Sequence, residues 1–415
     1  MRYQKDHLPL RFVCSIGGLS WCLNGGLALW MEAQYYLSIL ATVFLTNLQC
    51  DEAKPVCGGC SRHHVTCTYD HLPRPGDRTT AEDSETSVAS SSRSKHTEPN
   101  TNAAETKKRR LLELKLMHHW TLNTCLTFPL SADPSVRDIN TTILPNLGLQ
   151  NEALLYCIFF LAALHLVKTE AYSTEAAEAY QNYLDLTIRS HRIDVTNLSS
   201  SNADIVYLTA SLLRLGSFAI LPDRNLVPYT PPSQWMHMNQ GSGAVHRATW
   251  PWIGDNPASI ANRAVVQKTP DLTDFKTLFQ ISNRQSLLHL LTNPQGITPE
   301  LWSPDIQEAY ERSLSFIGAI QVALDEGIEG PSEILRRCLG FPGIIPKRFF
   351  DMVEERRPRA LVILAYYFAY LARFKDIWWI GDAGAREVRA IAGVLRPEWG
   401  EMMGWPVGEV ERIYS

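Results

Sequence analysis

A cluster of four cysteines is the feature that most restricts how this chain can fold. Four of the nine cysteines fall between residues 50 and 67, with six, two and six residues between them. Thiolates at such spacings can close around one Zn²⁺ in a tetrahedral site, with bonds of about 2.3 Å. Gly58 and Gly59 stand in the central turn, where the missing Cβ lets the backbone fold tightly. The spacing predicts one zinc ion held by Cys50, Cys57, Cys60 and Cys67. Unpaired or disulfide-linked cysteines in a loop are the alternative.

These cysteines belong to a longer motif, Cys50-Asp51-x-x-x-Pro55-x-Cys57-x-x-Cys60, followed after six residues by Cys67-x-Tyr69. The motif resembles the second part of the fungal six-cysteine binuclear zinc cluster, a DNA-binding module of transcription factors in which six thiolates hold two zinc ions. The first cysteine pair of that cluster and the basic helix after it are missing, and Val43 stands where the second cysteine is expected. The resemblance therefore implies a partial cluster over residues 50–69 with one zinc ion.

DNA is a doubtful partner for a chain with this departure from the family motif. In the family, base contacts come from the missing helix, whose Arg and Lys side chains approach the major groove. The nearby positive charges that remain are Lys54 and Arg62. The net charge is −4, so any contact with nucleic acid must come from a local patch. We expect weak DNA binding without sequence preference and with strong salt dependence.

Residues 1–49 are unusually apolar, and two interpretations stay open. From Val13 to Gln49 the only charged residue is Glu32, and Ala33–Leu48 is an apolar stretch of 16 residues. A stretch of this length is slightly short of the ~20 residues of a spanning helix, but it could anchor the chain in a membrane through residues 33–48. Alternatively, residues 1–49 result from an incorrect gene model that replaced the upstream half of the zinc cluster.

The overall composition is that of an ordinary globular protein. Hydrophobic residues make up 45% of the chain and charged residues 20%. The odd number of cysteines, without regular pairing along the chain, favours a reducing compartment. Cys125, Cys157 and Cys338 stand in apolar helical patterns and are predicted to be small buried side chains.

Residues 70–110 are predicted to form a disordered linker. Ser, Thr, Asp and Glu dominate this segment, and so few large aliphatic side chains cannot offset the entropy of ordering the chain. The linker ends in the basic run Lys107, Lys108, Arg109 and Arg110. A nuclear-import signal and a solvated helix start are both consistent with this run.

From residue 111 to 415 the pattern is helical, which predicts an all-α helical bundle. Glu152–Lys168 and the helix that follows Pro358 are apolar on nearly every side and are expected at the centre of the core. Prolines are dense from Leu221 to Pro270, where we expect loops with short helical turns. Further helices are predicted at Thr174–Arg192, Ala203–Ile220, Asp274–Leu291, Asp305–Leu324, Pro346–Glu355, Ala383–Leu395 and Trp399–Trp405, with a short last helix after Pro406.

A second resemblance covers this helical region. Its signatures are Leu112–Cys125, Ala162–Leu166, Pro232-x-x-Trp235, Arg357–Tyr366, Trp378-Trp379 and Gly404–Pro406. In this order they resemble the regulatory domain of sterol-uptake-control-type fungal transcription factors. The resemblance implies a helical bundle that, in some members, binds a sterol in an apolar pocket and controls activation. We therefore expect a sterol or lipid-like ligand, with homodimer formation and co-regulator proteins as further interactions. The candidate pocket residues are Tyr366, Tyr367 and Tyr370.

The sequence carries no recognisable enzymatic motif. It lacks a Gly-rich phosphate loop, a G-x-S-x-G elbow and an H-E-x-x-H pair. His118 and His119 point about 100° apart on a helix, so they cannot easily bind one ion and are expected to pack or hydrogen-bond. We predict a nuclear transcription regulator that is not an enzyme. The alternative is a membrane-anchored helical protein, or a regulator derived from the same family that no longer binds DNA.

Overall fold

The computed structural model describes residues 101–170, 174–268, 272–293, 299–300, 302–327 and 329–415. The predicted zinc ligands, Lys54, Arg62 and the apolar segment 33–48 lie outside these ranges. The α-helices are α1 (Thr101–Leu122), α2 (Pro134–Asp138), α3 (Leu144–Gly148), α4 (Glu152–Thr169), α5 (Thr174–Thr196), α6 (Ala203–Ile220), α7 (Ser233–Ile253), α8 (Ile260–Ala264), α9 (Phe275–Leu278), α10 (Pro304–Glu326), α11 (Pro331–Ile344), α12 (Lys347–Glu354), α13 (Pro358–Leu371), α14 (Ala383–Val394) and α15 (Gly400–Tyr414). The described ranges contain no strand, which confirms the all-α prediction.

Two apolar helices, α4 and α13, occupy the core as predicted. The side chain of Asn151 caps α4 by accepting a hydrogen bond from the Leu154 amide at 2.9 Å. Pro358 opens α13 at a position where its missing N–H costs no helical bond, and every later residue of α13 is buried. One continuous apolar core therefore includes residues of both helices.

The remaining helices pack around these two. Helix α4 lies along α5 and also contacts α1 and α6, whereas α13 contacts α14, α15 and α10. Helix α7 packs between α6 and α11, which brings α11 close to α13. This order places the seam between α6, α7 and α11 directly beside the buried α13.

Helix α7 corrects the prediction of loops across the proline-rich region 221–270. It runs over 21 residues and contains Pro251. Pro231 and Pro232 precede the helix, with Pro232 at its N-cap, and Pro251 lies in its last turn. A proline in the last turn removes only one backbone hydrogen bond, so burial of the apolar face of α7 outweighs that loss.

Three further segments differ from the predictions. The short helix after Pro406 is instead part of α15, because Pro406 is buried and Trp405 beside it stacks on Tyr366. The segment Ile281–Leu291 is a 3₁₀ helix rather than a continuation of an α-helix. Helix α11 was not predicted, because proline and glycine are typical of loops. Gly330 stands at its N-cap, and Gly340, Pro342 and Gly343 lie within it.

Helix α1 begins inside the segment predicted as a linker. It starts at Thr101, so the basic run that ends residues 70–110 is helical rather than disordered. The conformation of this run is therefore that of a solvated helix start, one of its two interpretations. A nuclear-import function is compatible with the same conformation.

Candidate functional site

The predicted metal site cannot be placed, because Cys50, Cys57, Cys60 and Cys67 lie outside the described residues. Within the described ranges, no group of three or more His, Cys, Asp or Glu side chains could hold a metal ion. The other cysteines named from the sequence are buried in the core, which confirms their predicted packing role: Cys125, Cys157 and Cys338. Burial raises the pKa of the Cys125 thiol to about 11 and keeps it protonated.

The basic run lies on the exposed surface of α1. Arg109 is tied back to the domain, because its Nε donates to Glu113 Oε1 at 2.8 Å. The same carboxylate oxygen accepts a hydrogen bond from the Tyr183 hydroxyl at 3.0 Å. Lys107, Lys108 and Arg110 are exposed and make no ion pair with the described part of the chain. Three of the four charges are therefore accessible to a partner.

The candidate tyrosines of α13 fall on two different sides of the helix. Tyr366 and Tyr370 face α15, where the ring of Trp405 lies 4.9 Å from each of their ring centroids. The Tyr366 hydroxyl is 3.3 Å from His289 Nε2, and the Tyr370 hydroxyl donates to Gln321. Burial raises the pKa of Tyr366 to about 12, so the hydroxyl stays neutral. On this side every hydroxyl has a protein partner.

Tyr367 points about 100° away from Tyr366 around the helix, toward α7 and α11. Its ring stacks on Phe341 with centroids 4.4 Å apart, and Trp235 lies 5.8 Å away. Its hydroxyl donates to the carbonyl oxygen of Cys338 at 3.1 Å. Burial raises the pKa of Tyr367 well above its usual range. The three predicted residues therefore do not line one common space in this structure.

Sequence analysis did not identify Arg214, which lies within electrostatic reach of Tyr367 and Tyr207. Burial lowers the pKa of Arg214, and the two tyrosine hydroxyls oppose that shift. The sequence did contain an indication of this residue. Arg214 is one of two charged residues in the largely apolar α6, and the other, Asp204, lies in the first turn. A charge in an apolar helix indicates either a paired core group or a binding site.

The adjacent histidines of α1 behave as their helical spacing predicts. His118 is exposed, whereas His119 turns inward and places Nε2 3.2 Å from Nδ1 of His165. His165 is also 3.0 Å from the Thr124 hydroxyl, and Trp378 stacks on its ring at 4.5 Å. Burial, followed by the nearby His119, lowers the pKa of His165 to about 4. Both inward rings are packing and hydrogen-bonding groups.

A basic hollow of about 650 Å³ opens at the start of α13. Buried Arg359 forms its floor and is held by Glu300 at 3.3 Å. Arg357 also contacts Glu300, at 3.1 Å. Arg356 and Arg396 are exposed at the rim and have no ion pair among the described residues. Two of the four arginines of this hollow are therefore held by protein groups, and the two at the rim are exposed to solvent.

The fold and these interior groups define an all-helical domain with a buried aromatic centre. No protein-family model matches the chain. The chain is 30% identical over 322 residues to the Zn(2)-C6 fungal-type transcription factor afumD of Aspergillus fumigatus, covering 78% of this chain and 81% of that protein. It is also 25% identical to a Zn(2)-C6 fungal-type transcription factor of Gibberella zeae, covering 87% of this chain and 82% of that protein.

The chain therefore belongs to the Zn(2)-C6 fungal-type transcription factors, as its motifs predicted. A more distant relative is Sterol uptake control protein 2 of Candida albicans, 23% identical over 65% of this chain and 38% of that protein. Members of this class regulate transcription, bind zinc and DNA, and act in the nucleus; they are not enzymes.

Two described helical segments are long and apolar enough to cross a membrane by composition alone. They are Glu152–Thr169 and Ala203–Asp223, and 61% and 67% of their apolar windows are buried inside the domain. Burial of this extent is typical of core helices. The alternative anchor at residues 33–48 lies outside the described ranges and stays a prediction.

Proposed function

We propose that the helical domain, residues 111–415, is a regulatory unit that binds a lipid-like ligand and controls a nuclear transcription regulator of sterol, lipid or secondary-metabolite genes. The observation that carries this proposal is a family relationship extending along most of the chain and including a protein named for control of sterol uptake. The buried aromatic surface around α13 supports it. Ligand pockets in helical proteins are lined mainly by such apolar and aromatic side chains.

Ligand binding is tested by the thermal stability of the full-length protein in the presence of sterols, fatty alcohols and fatty acids. At a hundredfold excess over Kd, a ligand stabilises the folded state by about 2.7 kcal/mol. For a domain of this size the melting temperature should rise by roughly 4 °C. No shift with any of these lipids would remove the ligand-sensing function and leave the family assignment standing.

Two variants locate the ligand. Tyr367→Phe keeps the aromatic ring and removes the hydroxyl on the side facing α11, so it should weaken a ligand that bonds there. Tyr180→Phe is the matched control, since this half-buried tyrosine lies on α5, away from α13. If the two substitutions change the lipid-induced shift equally, Tyr367 does not contact the ligand.

The zinc module gives a second test of the proposal. We expect one zinc ion per chain, held by Cys50, Cys57, Cys60 and Cys67, and weak, salt-dependent DNA binding. Metal analysis of the purified protein should give one zinc per chain, and Cys57→Ser should lower that value. Two zinc ions per chain, or nanomolar sequence-selective binding in a gel-shift assay at physiological salt, would contradict the partial cluster.

Nuclear import is proposed to use the exposed basic run of α1. The double variant Lys107→Ala, Lys108→Ala should move a fluorescent fusion of the full chain from the nucleus to the cytoplasm. The control variant, Arg189→Ala with Arg192→Ala, removes two exposed charges from α5. Equal nuclear signal in both variants would assign import to another segment. Light scattering of the full chain tests the proposed homodimer, and co-purification tests co-regulator proteins.

A further inference from the structure

The seam between α6, α7 and α11 contains an arginine, Arg214, whose side chain has no partner among the described residues. Ala210, Arg214 and Ser217 share one face of α6 because they are four and three residues apart. On either side of Arg214 this face is hydrogen-bonded to α7. The Ser242 hydroxyl donates to the Ala210 carbonyl at 2.8 Å, and Asn239 Nδ2 donates to the Ser217 hydroxyl at 3.0 Å. Arg214 therefore projects into the seam itself.

The end of the Arg214 side chain reaches the backbone of α11. A Cβ built on Gly343 would lie 3.8 Å from Arg214 Nη1. Two carbonyl oxygens at the end of α11 accept hydrogen bonds from Gln240 Nε2 of α7, that of Pro342 at 2.6 Å and that of Ile345, which follows the helix, at 3.2 Å. The guanidinium therefore lies against the backbone of α11 without making a hydrogen bond to it.

No described side chain compensates the charge. The Arg214 side chain makes no hydrogen bond or ion pair with the described part of the chain, and its Nε is buried without an acceptor. The groups that act on it electrostatically are the hydroxyls of Tyr207 and Tyr367, and no carboxylate is among them. Arg214 is half-buried, so its charge is partly removed from water while no described protein group pairs with it, and this leaves it open to an anionic partner.

The groups beside Arg214 are also poor in acceptors and carry no negative charge. His246 stacks on Tyr207 with centroids 4.1 Å apart, and its Nε2 is 3.0 Å from the Ser211 hydroxyl. Burial, then Arg214 and Arg247, lowers the pKa of His246, so the ring is neutral at physiological pH. Arg247 acts on His246 but is not among the groups that act on Arg214. Arg214 is therefore the arginine of this group for which the described residues offer no partner.

Access and apolar surface are both present at this position. Ser211, Arg214 and His246 are half-buried, whereas Tyr207 and Tyr367 beside them are buried. Part of the polar seam can therefore be reached from outside the core. The aromatic rings of Trp235, Phe341 and Tyr367 adjoin its inner end. The seam therefore places a partly accessible cation next to buried aromatic rings.

We propose that the seam between α6, α7 and α11 binds an amphipathic carboxylic acid whose carboxylate pairs with Arg214. A guanidinium presents a planar fork that matches a carboxylate with two parallel hydrogen bonds. One arginine without a described partner is balanced by a monoanion, which favours a carboxylate over a doubly charged phosphate. This inference rests on the proposed lipid-sensing function and adds to it that the ligand is acidic and that Arg214 selects its head group.

The test measures binding of hexadecanoate and hexadecanol to the full-length protein by calorimetry, below their aggregation concentrations. A sterol and acetate serve as a neutral lipid and a tail-free anion. Wild type should bind hexadecanoate at least about tenfold more tightly than hexadecanol, the value expected from one charge-assisted pair. Acetate should bind weakly, because it leaves the aromatic surface uncovered.

Three variants identify the residue responsible. Arg214→Gln should weaken hexadecanoate binding by about 10- to 100-fold and leave hexadecanol unchanged. Arg214→Lys, which keeps the charge but not the fork, should retain part of the preference and shows that the site still folds. Arg396→Gln removes an exposed arginine from the rim of the basic hollow and should change neither ligand.

The outcomes separate this inference from the proposed function. If hexadecanol or the sterol binds as well as hexadecanoate, and Arg214→Gln changes nothing, the chain senses lipids but Arg214 does not select an acid. If the acid preference is lost in Arg396→Gln rather than Arg214→Gln, the ligand lies in the basic hollow and the inference is wrong. If no lipid binds, the inference and the ligand-sensing function both fail.

Discussion

Two arginines of this domain, buried Arg359 and half-buried Arg214, have opposite surroundings. Arg359 is 1% exposed and is surrounded by acceptors: Glu300 at 3.3 Å, the Thr292 carbonyl at 2.7 Å and Asn293 Oδ1 at 2.6 Å. Arg214, between α6 and α11, has no such acceptor among the described residues. The first arginine is a structural group that joins the start of α13 to the segment after the 3₁₀ helix. The second has no structural explanation, which is why we infer a ligand there.

Arg359→Met should produce the largest loss in the free energy of unfolding, because Arg359 is the arginine with a structural role. It removes the cation that pairs with Glu300 and bonds two backbone carbonyls, and breaking a buried pair costs about 3–5 kcal/mol. Chemical denaturation of the full-length protein should show this loss. Arg189→Gln is the control, since the Arg189 side chain is 65% exposed and forms a surface ion pair with Asp185, so its loss should cost less than about 1 kcal/mol. Equal effects would mean that the Arg359 network does not hold the domain together.

Gly243→Ala tests whether the seam around Arg214 is packed as tightly as the Arg359 region. A Cβ on Gly243 would lie 2.3 Å from the Gly343 carbonyl oxygen, so α7 and α11 would have to separate. Because the obstacle is backbone, we expect a loss of roughly 3 kcal/mol, at the upper end for overpacking. In α14, Gly393→Ala meets no atom within 4 Å and should be neutral or stabilising. A neutral Gly243→Ala would show that the helices are farther apart.

Acid should destabilise the region around Arg214, because the buried histidine His191 lies there and resists protonation in the folded state. His191 is 1% exposed, and burial lowers its pKa from 6.5 to about 4. Between these values the unfolded chain binds a proton that the folded chain does not, so stability is complete above pH 6.5 and falls toward pH 4. His191 alone should account for a loss of about 2 kcal/mol at pH 5. His191→Gln should remove that share, and an unchanged acid profile would contradict the burial of its ring.

The sequence pattern predicts most of the helices because the core is built from apolar periodicity. Ala203–Ile220 is observed with the predicted bounds, and α13 begins at the predicted proline. The pattern fails where prolines occur near helix ends, as in α7 and α11, since tertiary packing there outweighs the loss of one hydrogen bond. Local sequence does not record that packing.

The candidate site is less predictable than the fold. The aromatic residues of α13 are visible in the sequence, but which side each ring faces depends on Trp405 and Phe341, distant in the chain. The lone charge of Arg214 in an apolar helix is also visible. Its lack of a partner is a property of four helices together, and no pattern within α6 can show it.

Replacing Arg214 should change the stability of the protein in the opposite direction to replacing Arg359. Arg214→Met removes a charge that no described group compensates and replaces it with an apolar side chain of similar length. In the absence of ligand this should stabilise the protein by about 1 kcal/mol, because the desolvation penalty disappears and no partner is abandoned. Chemical denaturation with Arg189→Gln as the control measures the change. A loss approaching that of Arg359→Met would mean that Arg214 has a structural partner within the chain. In that case the seam would be a second arginine network rather than a binding site.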